Sequence, residues 1–301
     1  MNRPLGDLDP AAFLAETWQR EPLLIRGAFP DFEPPIDGND LAGLACEPMA
    51  EARIIRGPQA DGTWTLEHGP FEEDIFDDIG DRDWTLLVQD VEKHYPPLAE
   101  LLAGFDFLPS WRIDDIMVSF AASGGSVGPH VDQYDVFLLQ AAGRRRWEIA
   151  RSFDPARRED VPLDMLREFN AEDSWVLEPG DMLYLPPGVA HHGVALEPGL
   201  TYSIGLRAPS AADLLTGIGE AMAERRDQGG RYEDRGQLQP GHRPGEIDTQ
   251  ALAALADTMR SALRADDNLE DALAGFISTY RQAHAAAPPP DTIDAAALHK
   301  K

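Results

Sequence analysis

Two short strings decide the fold and chemistry expected of this chain: residues 128–132 read Gly-Pro-His-Val-Asp, and residues 185–191 read Leu-Pro-Pro-Gly-Val-Ala-His. On a strand, residues i and i+2 point to the same face, so His130 and Asp132 can reach one ion. Two histidines and one carboxylate form the facial triad that holds Fe(II) and leaves positions open for a cosubstrate and dioxygen. The strings therefore predict a non-haem iron centre with His130, Asp132 and His191 as its catalytic metal ligands.

The context of these residues strengthens the prediction and leaves one alternative open. A His-x-Asp tripeptide alone is weak support, since many proteins carry one in a loop. Here glycine and proline precede it at a strand entry, and a Pro-Pro-Gly-x-x-His string ends a later strand. His192 competes with His191 for the third position, because neighbours on a strand face opposite sides and only one can bind the ion.

Three consecutive arginines, residues 144–146, form the second informative feature. Strand alternation places Arg145 on the side of Trp147 and Ile149, which are expected to face the core. A buried arginine needs an anion. The distal carboxylate of 2-oxoglutarate would supply one as a bidentate pair, and an internal pair with an aspartate or glutamate is the alternative.

Short apolar runs with turn signals between them dominate the middle of the chain and predict a β sandwich or barrel. The runs at 135–140 and 144–149 are expected to pair as a hairpin, and those at 175–177 and 182–185 as a second pair. Further strands are expected at 22–27, 83–91, 112–121 and 201–206. After Pro209 the apolar spacing becomes helical, with helices expected at 211–225, 247–263 and 269–284 and a loop at 227–245.

Composition limits the class of protein. There are 53 acidic and 26 basic residues, a formal net charge of −27, which disfavours direct nucleic-acid binding and would steer a basic partner toward the surface. The same acidity could serve solubility alone. No apolar run reaches the roughly 18–20 residues of a membrane span. The single Cys46 forms no internal disulfide, and the acidic start carries no signal region, so a cytoplasmic protein is expected.

The chain resembles the JmjC-type, 2-oxoglutarate-dependent ribosomal oxygenases, and most closely their bacterial branch, from Phe13 to about Tyr280. The strings that carry the resemblance lie at 18–26, 128–137, 143–147 and 184–191. The resemblance implies a double-stranded β-helix, a cupin-like JmjC jelly roll with N-terminal α/β elements. It implies that Fe(II) is bound by His130, Asp132 and His191, with 2-oxoglutarate and O2 as cosubstrates, and so favours His191 over His192 as the third ligand. It assigns 2-oxoglutarate to Arg145, with Ser203 as a weaker candidate that could equally be a plain barrel residue.

The resemblance also implies a domain organisation. Residues 1–208 would form the catalytic domain, 209–285 a helical homodimerisation region, and 286–301 a linker or tail. The family usually continues into a winged-helix region, for which 286–301 leaves no room, so that region is expected to be absent or truncated.

The bacterial branch hydroxylates an arginine of large-subunit ribosomal protein L sixteen, releasing succinate and CO2, so a basic ribosomal protein is the expected partner. An arginine target needs carboxylates near the mouth of the site; Asp114 and Asp115 are the candidates, with Gln133 and Tyr134 beside the metal ligands. Asp115 and Asp135 could instead satisfy neighbouring arginines. The same triad would also serve a different residue or a small molecule, and a non-catalytic ligand-binding cupin is the remaining alternative.

Overall fold

Two antiparallel sheets form the framework of the structure, a computed structural model that describes residues 4–224, 231–234, 245, 247–265 and 268–283. The strands are β1 (Leu23–Ile25), β2 (Ala52–Arg56), β3 (Thr65–His68), β4 (Trp84–Val88), β5 (Ile113–Ala121), β6 (His130–Val131), β7 (Val136–Ala142), β8 (Arg145–Ala150), β9 (Asp173–Leu177), β10 (Met182–Leu185), β11 (Ala190–Ala195) and β12 (Gly199–Leu206). Among the described residues, the larger sheet has the order β1-β10-β7-β12-β5-β4-β2-β3 and the smaller sheet has the order β6-β11-β8-β9.

Helices cover the N-terminal part and form the last part that the structure describes. They are α1 (Pro10–Glu16), α2 (Gly38–Ala45), α3 (Ile75–Asp78), α4 (Val91–His94), α5 (Pro96–Ala99), α6 (Ala211–Glu224), α7 (Thr249–Ala265) and α8 (Leu269–Ala283), with 3₁₀ turns at Glu100–Phe105 and Ser110–Arg112. The described helices include none that is both long enough and apolar enough to cross a membrane.

The strands β5 to β12 build the double-stranded β-helix expected from the sequence. Every connection among them except β8–β9 carries the chain from one sheet to the other. The two predicted pairings are therefore wrong: β7 pairs with β10 and β12, whereas β8 pairs with β9 and β11. Short turns at Gly143 and Gly180 resemble hairpin turns in sequence, but here they change sheets.

Strand β7 shows why it is favourable for the chain to pass from one sheet to the other rather than form a hairpin. Its Val136 and Leu138 point into a cluster between the two sheets. The alternate residues Phe137 and Leu139 pack on the opposite face, in the large core beneath the N-terminal helices. A strand that is apolar on both faces must lie inside a sheet with cover on each side, which a two-stranded hairpin would not provide.

A buried carboxylate anchors the chain between the metal motif and β7. Asp135 is fully buried and accepts hydrogen bonds from the Tyr184 hydroxyl at 2.6 Å, Gln19 Nε2 at 2.8 Å and Arg112 Nη2 at 2.9 Å. The alternative that Asp135 satisfies an arginine is thus confirmed. Because buried charges are stable only when paired and hydrogen-bonded, this network fixes the position of the segment that follows Asp132.

The N-terminal part adds strands to the same large sheet, beyond β5. Of these, only β4 was predicted, as part of the strand expected at 83–91; β2 and β3 were not predicted from the sequence. Strand β2 pairs with β4 in a register that places Arg53 opposite Leu87. Its five residues, Ala-Arg-Ile-Ile-Arg, place two adjacent isoleucines between two arginines, so they lack the regular alternation that would mark a strand.

The contacts divide the chain into two compact units, and residues 209–283 form the second. Within it, α6 packs on α8 where Gly217 meets the ring of Phe276. Helix α7 exposes Leu252, Leu255 and Met259 to solvent. Most of the predicted loop at 227–245 and the whole tail at 286–301 lie outside the described residues.

Candidate metal and cosubstrate site

The three predicted metal ligands meet at one point between the sheets. His130 and His191 are directly paired across β6 and β11, and Asp132 follows β6 by one residue. Their candidate ligand atoms all lie within 4.8 Å of one another. Asp132 Oδ2 is 3.9 Å from His130 Nε2 and 3.6 Å from His191 Nε2. Two imidazoles and one carboxylate converging in this way suit a divalent iron ion.

Backbone carbonyls orient both imidazole rings. His130 Nδ1 lies 3.0 Å from the carbonyl oxygen of Gly128, and His191 Nδ1 lies 3.1 Å from that of Val189. If each Nδ1–H donates to its carbonyl, each Nε2 lone pair faces the cluster. Burial lowers the pKa of His191 well below its ordinary value, and His130 lowers it further. The neutral imidazole favoured in this way is the form that binds a metal.

His192, the competitor for the third position, lies on the other side of β11. Its Nδ1 is 3.6 Å from Glu148 Oε2, and its ring contacts Phe169 with a centroid separation of 5.9 Å. The strand alternation that separates adjacent side chains thus brings His191, rather than His192, to His130 and Asp132.

Arg145 is buried in the same cavity, on the face of β8 that the alternation predicted. It is 4% exposed, and its guanidinium lies over the Trp147 ring at 4.8 Å. No carboxylate in the described part of the chain forms an ion pair with it; its weak polar contacts are Thr201 Oγ1 at 3.5 Å and the Gly193 carbonyl at 3.4 Å. Its Nε has no hydrogen-bond partner among these residues. Burial lowers the pKa of Arg145 to about 10, so this cation is set up to receive an anion.

Two features that shape the arginine site were missed by sequence reasoning. A Cβ on Gly193 would lie 2.7 Å from Arg145 Nε and 2.7 Å from the Trp147 ring, so glycine leaves the space that the guanidinium occupies. Thr201 donates its hydroxyl proton to Gln140 Oε1 at 3.1 Å, which leaves its oxygen facing Arg145. Both residues come from distant strands, and no local motif marks them.

The cavity itself has a volume of about 410 Å³ and contains the metal cluster, Arg145 and Ser203. Ser203 is 7% exposed and lies on β12 two residues after Thr201. Apolar side chains form much of the remaining wall; they include Val136, Leu138, Trp147 and Met117. A concave cavity that combines apolar walls with polar and charged groups is typical of a small-molecule site.

The four residues predicted to face the substrate differ in their positions. Asp115 and Tyr134 line the cavity, and burial raises the pKa of Asp132, which the Tyr134 hydroxyl acts to lower. Asp114 also lines the cavity, but its Oδ1 pairs with Arg207 Nε at 3.1 Å. Gln133 is exposed and is not part of the cavity wall. Asp115 forms no arginine pair in the described part of the chain, so its alternative role as an arginine partner finds no support there.

Comparison with known proteins places this geometry in a family. A model of the JmjC domain matches residues 100–214. The Escherichia coli K12 protein named ribosomal protein uL16 3-hydroxylase is 39% identical over 279 residues, which cover 92% of this chain and 73% of the relative. A probable ribosomal oxygenase of Haemophilus influenzae is 38% identical over 219 residues, covering 71% of this chain but only 54% of that relative. The chain thus spans about half the length of the Haemophilus protein.

Solved structures agree with this assignment. An X-ray structure of E. coli YcfD superposes with a TM-score of 0.78 at 38% identity, covering 90% of this chain and 72% of that one. A structure of the same oxygenase in complex with cobalt and 2-oxoglutarate gives a TM-score of 0.74, with 90% and 71% covered. The chain therefore belongs to the family of JmjC-domain ribosomal oxygenases, which confirms the resemblance and the cupin-like fold expected from its sequence.

Proposed function

We propose that this protein is an Fe(II)- and 2-oxoglutarate-dependent hydroxylase that acts on an arginine of ribosomal protein uL16, the large-subunit protein L sixteen, and releases succinate and CO2. The observation that carries the proposal is the buried Arg145, without a carboxylate partner, in one cavity with the cluster of His130, Asp132 and His191. The name of the E. coli relative supplies the target. A ribosomal-protein target also supports a cytoplasmic location.

Each residue of the cluster has a role in this reaction. His130 and His191 would bind iron through Nε2, and Asp132 would bind through a carboxylate oxygen. Arg145 would pair with the distal carboxylate of 2-oxoglutarate, with the Thr201 hydroxyl and Ser203 beside it. Bound iron, together with 2-oxoglutarate and dioxygen, supplies the oxidising chemistry. Arg145 is buried away from bulk water, which strengthens its attraction to a bound carboxylate.

Asp115 is the best-placed residue to receive the arginine side chain. Its Oδ2 accepts hydrogen bonds from Gln89 Nε2 at 3.1 Å and from the Asp90 amide at 3.3 Å. Two donors on one oxygen leave Oδ1 available to a guanidinium. Tyr134, which lines the same cavity, is a second candidate contact, and Gln133 is a candidate at the outer surface.

Removing the Asp115 charge is expected to weaken peptide binding selectively. Asp115→Asn should raise the Kd for an arginine peptide by about 10- to 100-fold, because a hydrogen bond to a charged group contributes about 1.5–3 kcal/mol. Asp114→Asn should have a smaller effect, because that carboxylate is already paired with Arg207. Calorimetry with both ligands checks this; loss of 2-oxoglutarate affinity equal to the loss of peptide affinity would contradict the assignment.

Peptide affinity is also expected to depend on pH near neutrality. Burial, then Asp90, Glu92 and Asp114, raise the pKa of Asp115 to about 7. A guanidinium binds the ionised carboxylate, so affinity should be constant above about pH 7 and fall roughly tenfold per pH unit below it. Titrations of the peptide at a series of pH values, with saturating metal and 2-oxoglutarate, measure this pH dependence. Asp115→Asn is the control: the same fall of peptide affinity with pH in that variant would assign the effect to another group.

Mass spectrometry tests the proposed reaction itself. A uL16 peptide containing the target arginine would be incubated with the protein, Fe(II), 2-oxoglutarate and air, beside a His130→Ala control. Gain of one oxygen on arginine, absent from the control, is the expected result. Succinate without that gain would favour a different protein residue or a small molecule. Absence of both products would favour the non-catalytic ligand-binding cupin.

The helical region 209–285 is proposed to form a homodimer with a second copy. Helix α7 exposes Leu252, Leu255 and Met259 at helical spacing, the pattern of an apolar face that a partner covers. A two-fold contact would let each copy cover the same face of the other. Light scattering should give a dimer mass, and Leu255→Glu should shift it to a monomer; a monomer in the unmodified protein would contradict the proposal.

A further inference from the structure

Two polar residues in the cavity have no role in binding iron or 2-oxoglutarate. Arg53 on β2 and Gln89, one residue past β4, both line the cavity wall. Arg53 lies opposite Leu87 in the β2–β4 ladder, so Gln89, two residues further on, shares its face. Arg53 Nη2 donates to Gln89 Oε1 at 3.2 Å, and its buried Nε has no hydrogen-bond partner among the residues described.

The two contacts of Gln89 form a chain that ends at Asp115. Gln89 Nε2 donates to Asp115 Oδ2 at 3.1 Å, while its Oε1 accepts from Arg53. A primary amide can turn over and exchange its oxygen and nitrogen. In the reversed orientation, the amide oxygen would face the Asp115 carboxylate and the amide N–H groups would face the Arg53 guanidinium. Both contacts would then be repulsive. Because arginine has donors and no acceptor, Arg53 selects the orientation that presents N–H to Asp115.

This orientation determines which carboxylate oxygen is left for a ligand. Oδ2 is held by Gln89 and the Asp90 amide. Oδ1 points toward β12, where a Cβ on Gly205 would lie only 2.9 Å from it. Gly205 also lines the cavity, so the absence of a side chain there keeps the approach to Oδ1 open.

We propose that Arg53 and Gln89 are positioning residues that act in series, Arg53 through Gln89, to aim Asp115 Oδ1 at the guanidinium of the substrate. The inference rests on the proposed function, since it presumes an arginine target. Arg53 itself stays out of contact with the target, because a neutral amide separates the two cations.

A comparison of two peptides tests the series arrangement. One carries the target arginine and the other carries citrulline, its neutral counterpart, and both are titrated without oxygen into protein loaded with Co(II) and 2-oxoglutarate. Arg53→Met and Gln89→Met should each reduce the preference for arginine by about tenfold. The double variant should match Gln89→Met alone, because Arg53 acts only through the amide. Arg53→Lys, which keeps a donor, should retain most of the preference.

Control variants separate positioning from general damage. Arg56→Met removes a neighbouring arginine of β2 that pairs with Glu67, and it should leave the preference unchanged. Thermal unfolding and 2-oxoglutarate affinity should remain as in the unmodified protein. If Arg53→Met fails to fold, Gln89→Met at a half-buried position and Arg53→Lys still decide the question.

Three results would overturn the inference. Equal weakening of both peptides would indicate a structural role only. Additive losses in the double variant would place Arg53 in direct contact with the peptide. Tighter arginine binding in Arg53→Met would make Arg53 a simple source of repulsion. A lack of arginine preference in the unmodified protein is a different result, because it would contradict the proposed recognition by Asp115 before the role of Arg53 is considered.

Discussion

His191→Ala is expected to abolish metal binding and turnover. The residue supplies one of three convergent donor atoms. It is only 2% exposed, so bulk water has little access to the position that its imidazole occupies. Mutation of a residue that only hydrogen-bonds to a metal ligand typically lowers metal affinity or activity by 10- to 100-fold. Loss of the ligand itself should therefore exceed about 100-fold in both Co(II) affinity and succinate formation, as measured by calorimetry and product assay.

The adjacent histidine provides a matched control. His192→Ala removes the same side chain from the same strand, but that imidazole faces Glu148 on the other side. It should leave metal affinity within about threefold of the unmodified protein, the scale of a weak exposed ion pair. Strong metal binding by His191→Ala together with loss in His192→Ala would contradict the assignment of the third ligand.

Arg145→Met is expected to cause the largest loss of cosubstrate affinity. A desolvated, hydrogen-bonded charge pair typically costs about 2–5 kcal/mol when one partner is truncated, so the Kd for 2-oxoglutarate should rise by at least about 30-fold. Metal affinity should change little. The protein without cosubstrate should unfold at the same or a higher temperature, because burial opposes the arginine charge and no carboxylate in the described part of the chain compensates it.

Arg144→Met is the control for this change. It removes the same charge from the preceding residue, whose side chain is 49% exposed and pairs with Glu197. Its affinity for 2-oxoglutarate should stay close to that of the unmodified protein. If both variants lose affinity equally, the effect comes from net charge rather than from a buried carboxylate site.

The ligand cluster could be predicted from the sequence because its rules are local. Spacing of i and i+2 places His130 and Asp132 on one face, and alternation alone places Arg145 on the face of Trp147. Local rules did not decide between His191 and His192: the resemblance favoured His191, and the pairing of β11 with β6 places that residue opposite His130.

The parts that escaped prediction depend on long-range pairing. A turn such as that at Gly143 has the same residues whether the chain forms a hairpin or changes sheets, so the pairing of β7 with β10 and β12 was not predictable from it. Thr201 and Gly193 approach Arg145 only after distant strands fold together. Arg53 reaches Asp115 only through Gln89, and it lies on β2, whose five residues show no regular alternation.

The central claim is that this cavity couples oxidation of 2-oxoglutarate to hydroxylation of an arginine. The most direct test is turnover of the uL16 peptide under isotopically heavy dioxygen, with peptide and succinate quantified by mass spectrometry. The account predicts one heavy oxygen atom in the hydroxylated arginine and one in succinate, with the two products formed in equal amounts. Hydroxylated peptide that contains only oxygen from water, or that forms without succinate, would contradict it.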